Sequence, residues 1–236
     1  MDAGEAEQML AAADKAGVLL GVAQNMRYNE SIAQMRQWIA EGRIGAPQLA
    51  HAQFAYETSR SPRTWINDPT LARGGPIGDV GIHCIDALCF VLGTSPAEIN
   101  AVTTLAHRDA NSGEVESHAV IALDYNSGAM ATVTVSGRAA YRSYLEVTGT
   151  TGLLTCEAAM TIDHPVHLVH RRGPEVVTDV LISNADAFSR MLDGFGAAAR
   201  GEGTYLAPAA EGLLNQRVLD AAYASWREGR RISVIA

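Results

Sequence analysis

Seven strand-like segments follow one another between Glu98 and Val180, with no helical pattern among them. They cover residues 100–105, 117–124, 129–135, 144–149, 153–156, 166–170 and 176–180. Asn126-Ser127-Gly128 sits between two of them and carries the residue types of a tight hairpin turn. Val133 and Val135 alternate with Thr132 and Thr134, which marks one buried face and one more polar face. A parallel pair needs a crossover of a dozen or more residues, so short connections predict an antiparallel meander.

The remainder reads as helices around that block. Ala6, Met9, Leu10 and Ala13 recur at spacings of three and four, which predicts a helix over 5–15 stopped at Gly17. Residues 18–23 form a continuous apolar run, the pattern of a strand buried on both faces of a parallel sheet. A helix is expected over 31–41 and a strand over 49–56. Residues 58–75 are polar, hold Pro62, Pro69 and Gly74-Gly75, and read as a long loop of the kind that carries function. A helix over 77–92 is closed by Gly93, and helices over 185–200 and 209–228 end the chain.

Charge and cysteine usage remove several function classes. Eighteen Lys and Arg against 26 Asp and Glu leave a net charge of −8, which repels a phosphate backbone and argues against nucleic acid as a partner. No apolar stretch reaches the roughly 18 residues of a membrane span. The acidic N-terminus lacks the basic region of a signal peptide. Cys84, Cys89 and Cys156 form neither a C-x-x-C pair nor a disulfide framework, which points to a reducing, cytoplasmic setting.

The chemistry gathers between Arg73 and Asp86. Gly74-Gly75 leads into a helix whose first turns hold Asp79 and His83. In regular helical geometry residues four apart share a face. A carboxylate beside an imidazole steers its proton and favours its cation, which suits a general acid/base near neutral pH. The glycines allow a ligand close to the backbone, and the helix N-terminus favours an anionic or electron-rich group. The plainer alternative is that Asp79 caps the helix and His83 packs. Gly75, Gly78 and Gly81 follow no strand and are spaced G-x-x-G-x-x-G, which is not the dinucleotide fingerprint.

This run resembles the Gfo/Idh/MocA oxidoreductases, whose pattern is a Gly-Gly pair followed by D-x-G-x-H-x-x-D. Here the matches are Gly74, Gly75, Asp79, Gly81, His83 and Asp86. The stretch Gly21-Val-Ala-Gln-Asn-Met-Arg27-Tyr28-Asn29 is similar to the family's strand leading into an arginine–aromatic pair. Ile39-Ala-Glu-Gly42-Arg-Ile-Gly45 and Glu146-Val-Thr-Gly149-Thr-Thr-Gly152 resemble two further family turns. The resemblance implies an α+β fold: a large, mostly antiparallel sheet with helices packed on one face, preceded by a remnant helix–strand of a Rossmann domain. Residues 1–28 would be that remnant, and 29–236 the substrate-binding and oligomerising domain. By match, His83 and Asp79 are the catalytic acid/base pair. Arg27, Tyr28, Trp65, Gly74 and Gly75 face substrate or cofactor.

The implied reaction is hydride transfer between a hydroxyl-bearing carbon of a sugar, cyclitol or similar polyol and NAD or NADP. The implied assembly is a homodimer through the sheet. Family members carry about 100 or more residues ahead of the position of Glu5, with a strand–glycine loop–helix for the pyrophosphate. Their E-K-P lysine falls just before the position of Met1. Nicotinamide binding by the family's mode is therefore not expected of these residues alone. Two other classes stay open: a cofactor-independent lyase, isomerase or hydrolase using Asp79 and His83, and a non-catalytic binding or assembly protein.

Other residues take plain readings. His164, His167 and His170 are spaced by three in a strand, which sends neighbouring rings to opposite faces, so no shared metal is expected. Arg138, Tyr141, Arg142 and Tyr144 have the residue types to bind an anionic substrate or partner, but the plainer reading is a solvated sheet edge. Cys84 reads as core.

Overall fold

The computed structural model describes residues 2–72, 74–108 and 115–234. Helix α1 (Ala3–Ala16) opens on a capping box: Glu5 donates its backbone N–H to the Asp2 side chain, and the Glu5 side chain accepts from the Asp2 backbone. Gly17 in the left-handed region closes it. A 3₁₀ turn (Asn25–Tyr28) leads into α2 (Glu30–Ala40), followed by β1 (Pro47–Ala55). The loop after β1 is organised by two 3₁₀ turns (Thr58–Arg60, Thr64–Asn67) and the short α3 (Pro69–Ala72). A π-helical turn (Ile77–Gly81) then runs directly into α4 (Ile82–Leu92), which Gly93 ends.

Seven strands follow: β2 (Ile99–His107), β3 (His118–Tyr125), β4 (Met130–Ser136), β5 (Arg142–Gly149), β6 (Leu153–Glu157), β7 (Val166–Arg172) and β8 (Glu175–Ile182). Helices α5 (Ala187–Ala199) and α6 (Ala209–Glu228) and the two-residue β9 (Ile232–Ser233) complete the order.

All nine strands form one sheet in the order β8-β7-β6-β5-β1-β4-β3-β2-β9. The expected meander is therefore two antiparallel meanders with β1 laid between them. β1 runs antiparallel to β5 but parallel to β4. The loop and α4 supply the long crossover that a parallel pair requires.

Alternate side chains point one way, including Ala52, Ile121, Val133, Leu145, Val147 and Leu168, and are buried under the helices. Ile85 and Leu88 of α4 and Val218 of α6 are fully buried in the same core. Each such side chain contributes roughly 1.5–3 kcal/mol of burial. Cys84, Cys89 and Cys156 are free and buried. Among the described residues, no helix is long and apolar enough to cross a membrane.

The strand expected over 18–23 does not form. Only Gly21 makes a bridge, with Pro208, and Val22 donates its N–H to Ala207 O. A strand buried on both faces needs a neighbour on each side. Here the segment lies against 205–209 and, through Val22, against Gly212 of α6, and Val18 and Leu19 are exposed. α1 instead packs on α6, where Ala3 N–H donates to Asp220 and Glu7 pairs with Arg217 at 2.9 Å.

Candidate active site

The π turn fixes what the start of α4 presents. Regular i, i+4 stacking does not hold across a widened turn, and Asp79 does not hydrogen-bond His83. Asp79 accepts from Tyr56 Oη, at the end of β1, and pairs with Arg63 at 3.0 Å. Arg63 also donates to Tyr56 Oη at 2.7 Å, which closes a three-membered network. Burial raises the Tyr56 pKa and Asp79 adds to the rise, while Arg63 opposes it. Tyr56 is therefore a neutral hydroxyl at physiological pH.

His83 has a different partner. Its Nδ1 lies 3.1 Å from Gln24 Oε1. Among the described residues no protein group bonds Nε2, which is left to the cleft that His83 lines. Burial lowers the His83 pKa below its ordinary value; Asp86 and Asp79 oppose that, and Arg63 adds to it. The imidazole is thus neutral near pH 7 and can take a proton.

The cleft has a volume of about 390 Å³. One end is polar, formed by His83, Asp79, Arg63 and Tyr56. The walls are apolar, with Phe54, Tyr141 and Phe188 among them. Phe54 and Tyr141 meet edge to face with centroids 6.1 Å apart. Tyr141 is 53% exposed, but it does not sit at a sheet edge. β4 and β5 flank the central β1, so the connection that carries Tyr141 lies over the middle of the sheet.

The other sequence-derived positions lie elsewhere. Arg27 is buried in a two-pronged pair with Asp86 (2.9 and 2.6 Å), and Asn215 donates to the same carboxylate at 2.7 Å. Arg27 also pairs with Glu211. It holds the 3₁₀ turn to α4 and α6 and does not line the His83 cleft. Tyr28 is buried, with its ring 6.0 Å from Tyr205 and its hydroxyl accepting from Leu206 N–H. Their neighbours Asn25 and Met26 reach the cleft instead. Trp65 and Gly74 line a separate cleft of about 530 Å³ that reaches Asp79 from its other side.

The helix entry differs most from expectation. Glu116, just before β3, is buried and accepts from Gly75 N–H at 3.0 Å, Ile77 N–H at 2.8 Å and Tyr223 Oη at 3.1 Å. The anion that the helix N-terminus favours is thus a carboxylate of the chain itself. The two glycines make room for packing. A Cβ at Gly74 would lie 1.9 Å from Tyr223 Oη, and one at Gly75 would lie 2.0 Å from Glu116 O. A dinucleotide pyrophosphate does not fit this entry.

His167 points outward to Asp179 at 2.7 Å while His170 is buried inward, so the two rings face opposite ways. No group of three or more metal-ligating side chains occurs among the described residues.

Gln24, Tyr56, Arg63 and Glu116 were not singled out in the sequence. Each is a lone polar residue on a separate segment. The one available signal was Gln24, inside the stretch that leads to Arg27 and Tyr28.

Residues 32–155 match a family model described as the GFO/IDH/MocA C-terminal domain. Over 210 residues the chain is 31% identical to a 1,5-anhydro-D-fructose reductase of Ensifer adhaerens, covering 89% of this chain and 62% of that protein. Over 230 residues it is 29% identical to an inositol 2-dehydrogenase of Rhizobium meliloti, covering 93% of this chain and 66% of that protein. The chain therefore spans less than two thirds of the length of these two relatives. The aldose-aldose oxidoreductase from Caulobacter crescentus, solved with glycerol, superposes with a TM-score of 0.87 at 23% identity, over 98% of this chain and 69% of that one. At that identity the likeness is one of fold.

Proposed function

Since this chain belongs to the GFO/IDH/MocA family, we propose that it forms the substrate-binding part of an oxidoreductase acting on a hydroxyl or keto carbon of a sugar, cyclitol or similar small polyol. The observation that carries this is His83, neutral and with Nε2 open to a cleft that pairs a polar end with aromatic walls. A polyol has hydroxyls for Arg63, Tyr56 and Asp79 and C–H faces for Phe54, Tyr141 and Phe188.

In the oxidative direction His83 Nε2 takes the proton of the substrate hydroxyl while the carbon gives up its hydride. In the reductive direction the imidazolium returns that proton. Asp79 and Asp86 lower the cost of the imidazolium, because a nearby negative charge favours the cation. Arg63 donates hydrogen bonds to neighbouring oxygens of the substrate, and Tyr56 Oη, whose proton goes to Asp79, accepts from a substrate hydroxyl; together they orient it. The family's hydride partner is NAD or NADP. The glycine entry to α4 is filled by Glu116 and does not fit its pyrophosphate, so the part proposed for this chain is substrate binding and the proton.

Residues 1–28 act in this proposal as the closing piece of a dinucleotide-binding domain. Residues 29–236 carry substrate binding and a homodimer contact on the open face of the sheet, in a cytoplasmic protein. The test is the native protein isolated from its source, its intact mass measured, and NAD and NADP offered with a panel of sugars and cyclitols. Substrate-dependent reduction of the nicotinamide is the expected result. A species near 25.0 kDa that neither binds nor reduces nicotinamide would contradict hydride transfer.

A further inference from the structure

We infer that Gln24 is the positioning residue that selects the tautomer of His83, holding the proton on Nδ1 and leaving Nε2 as the nitrogen that works on the cleft. The observation is the 3.1 Å contact between His83 Nδ1 and Gln24 Oε1. A carbonyl oxygen only accepts, so the contact is a hydrogen bond only when Nδ1 carries the proton. The same bond is kept when Nε2 is protonated, because both ring nitrogens donate in the cation. His83 can therefore cycle between base and acid at Nε2 without losing its anchor. A ring free to change tautomer would present the cleft with an N–H in part of the population, and that part could not accept a proton.

Gln24 is built to be rigid. It is buried, and it follows a segment tied down at several points. Val22 N–H donates to Ala207 O at 2.9 Å, and Tyr205 Oη donates to Val22 O at 2.9 Å. Gln24 N–H donates to Val22 O at 2.9 Å, and its own carbonyl accepts from Arg27 N–H at 3.2 Å. Arg27 is in turn locked by Asp86. The Arg27–Tyr28 turn thus acts on the site at one remove, by fixing the backbone that carries Gln24.

The charged groups around His83 are Asp79 on the π turn, Asp86 on α4 and Arg63 on the loop after β1. Tyr56, also facing the cleft, is neutral. None of these bonds Nδ1. Asp79 is engaged by Tyr56 and Arg63, and Asp86 by Arg27 and Asn215. The carboxylates therefore set the charge balance of the ring, while a neutral amide sets its tautomer. A neutral partner stabilises the imidazolium less than a carboxylate would, which keeps His83 a base near neutrality.

The proposal rests on the proposed acid/base role of His83 for its catalytic meaning, but its test needs no turnover. Nitrogen-15 ring spectra of His83 are recorded on the full chain for the wild type, Gln24→Met and Gln24→Glu. The wild type should show a protonated, pyrrole-type Nδ1 and a pyridine-type Nε2. Gln24→Met keeps the side-chain length without an acceptor and should shift the population toward Nε2–H. Gln24→Glu should keep Nδ1–H and raise the pKa of His83 by about one unit or more, as expected of an added opposite charge in contact. If Gln24→Met does not fold, the pKa of His83 in Gln24→Glu decides. A wild-type ring protonated at Nε2, an unchanged tautomer in Gln24→Met, or an unchanged pKa in Gln24→Glu would overturn the proposal. Loss of the acid/base role would show separately, as unchanged turnover on replacing His83.

Discussion

Asp79 shares its charge with Arg63 and Tyr56, so it reaches His83 through the field rather than through a bond. That separation gives Asp79→Asn a defined signature. Removing the carboxylate withdraws a group that favours the imidazolium and leaves Arg63, which opposes it, unneutralised. The pKa of His83 falls further, and the acidic limb of the rate profile moves to lower pH. Turnover should drop by less than it does on replacing His83. A pH–rate series on the two variants checks both points, and an acidic limb that moves to higher pH would refute the coupling.

His170 offers a second titration, this time of stability. It is buried beside Trp38, and burial lowers its pKa from 6.5, with the charges of Arg172 and Arg43 adding to the fall. The unfolded chain then binds the proton more readily than the folded one. The stability of the neutral ring is full above pH 6.5 and is lost as pH falls toward the lowered native value. His83 contributes with the same sign. The melting temperature should decline below pH 6.5, and His170→Leu should flatten part of that decline. At this scale the sequence disclosed only what one segment holds: Asp79 and His83 stand out by spacing. Gln24, Tyr56 and Glu116 become partners of that segment only through long-range folding, which leaves no local pattern to read.

The entry to α4 shows the same limit among elements. Gly74-Gly75 ahead of a helix has the form of a ligand cradle in sequence, yet Glu116 fills it from 41 residues away. Glu116→Ala would leave two backbone N–H groups and the Tyr223 hydroxyl without their buried acceptor. At about 1–3 kcal/mol for an unsatisfied buried group, a loss of roughly 2–5 kcal/mol follows, measurable by urea unfolding. A change below about 1 kcal/mol would mean that the carboxylate is not holding the helix entry.

Strands and helices were far more legible than contacts. Period-two alternation located β2 through β8 to within about two residues at most ends, and α6 matches its expected span. The placement of β1 between β5 and β4 was not legible, because the crossover choice depends on which strands α4 covers. The apolar run at 18–23 misled for a related reason: hydrophobicity marks burial against a partner and does not say whether that partner is a strand.

For the whole molecule, the side of the sheet away from the helices stays open. Leu49, Leu105, Val120, Met130 and Leu181 are exposed there, Leu105 to 74%. The proposed homodimer contact would cover these side chains. Light scattering at micromolar concentration should give twice the 25.0 kDa chain mass, and Leu105→Glu with Val120→Lys should return it to that of one chain. A monomeric wild type would contradict the proposed contact.

The sheet, the crossover and the π turn together deliver one imidazole to the cleft, where the proposed function makes it the acid/base. His83→Asn tests this, compared with the native protein isolated from its source for the proposed nicotinamide-linked turnover and for melting temperature in the same preparations. Turnover should fall by about a hundredfold or more, the scale of a lost general acid/base, with the melting temperature nearly unchanged. A lower melting temperature with specific activity intact would make His83 a packing residue and contradict the claim.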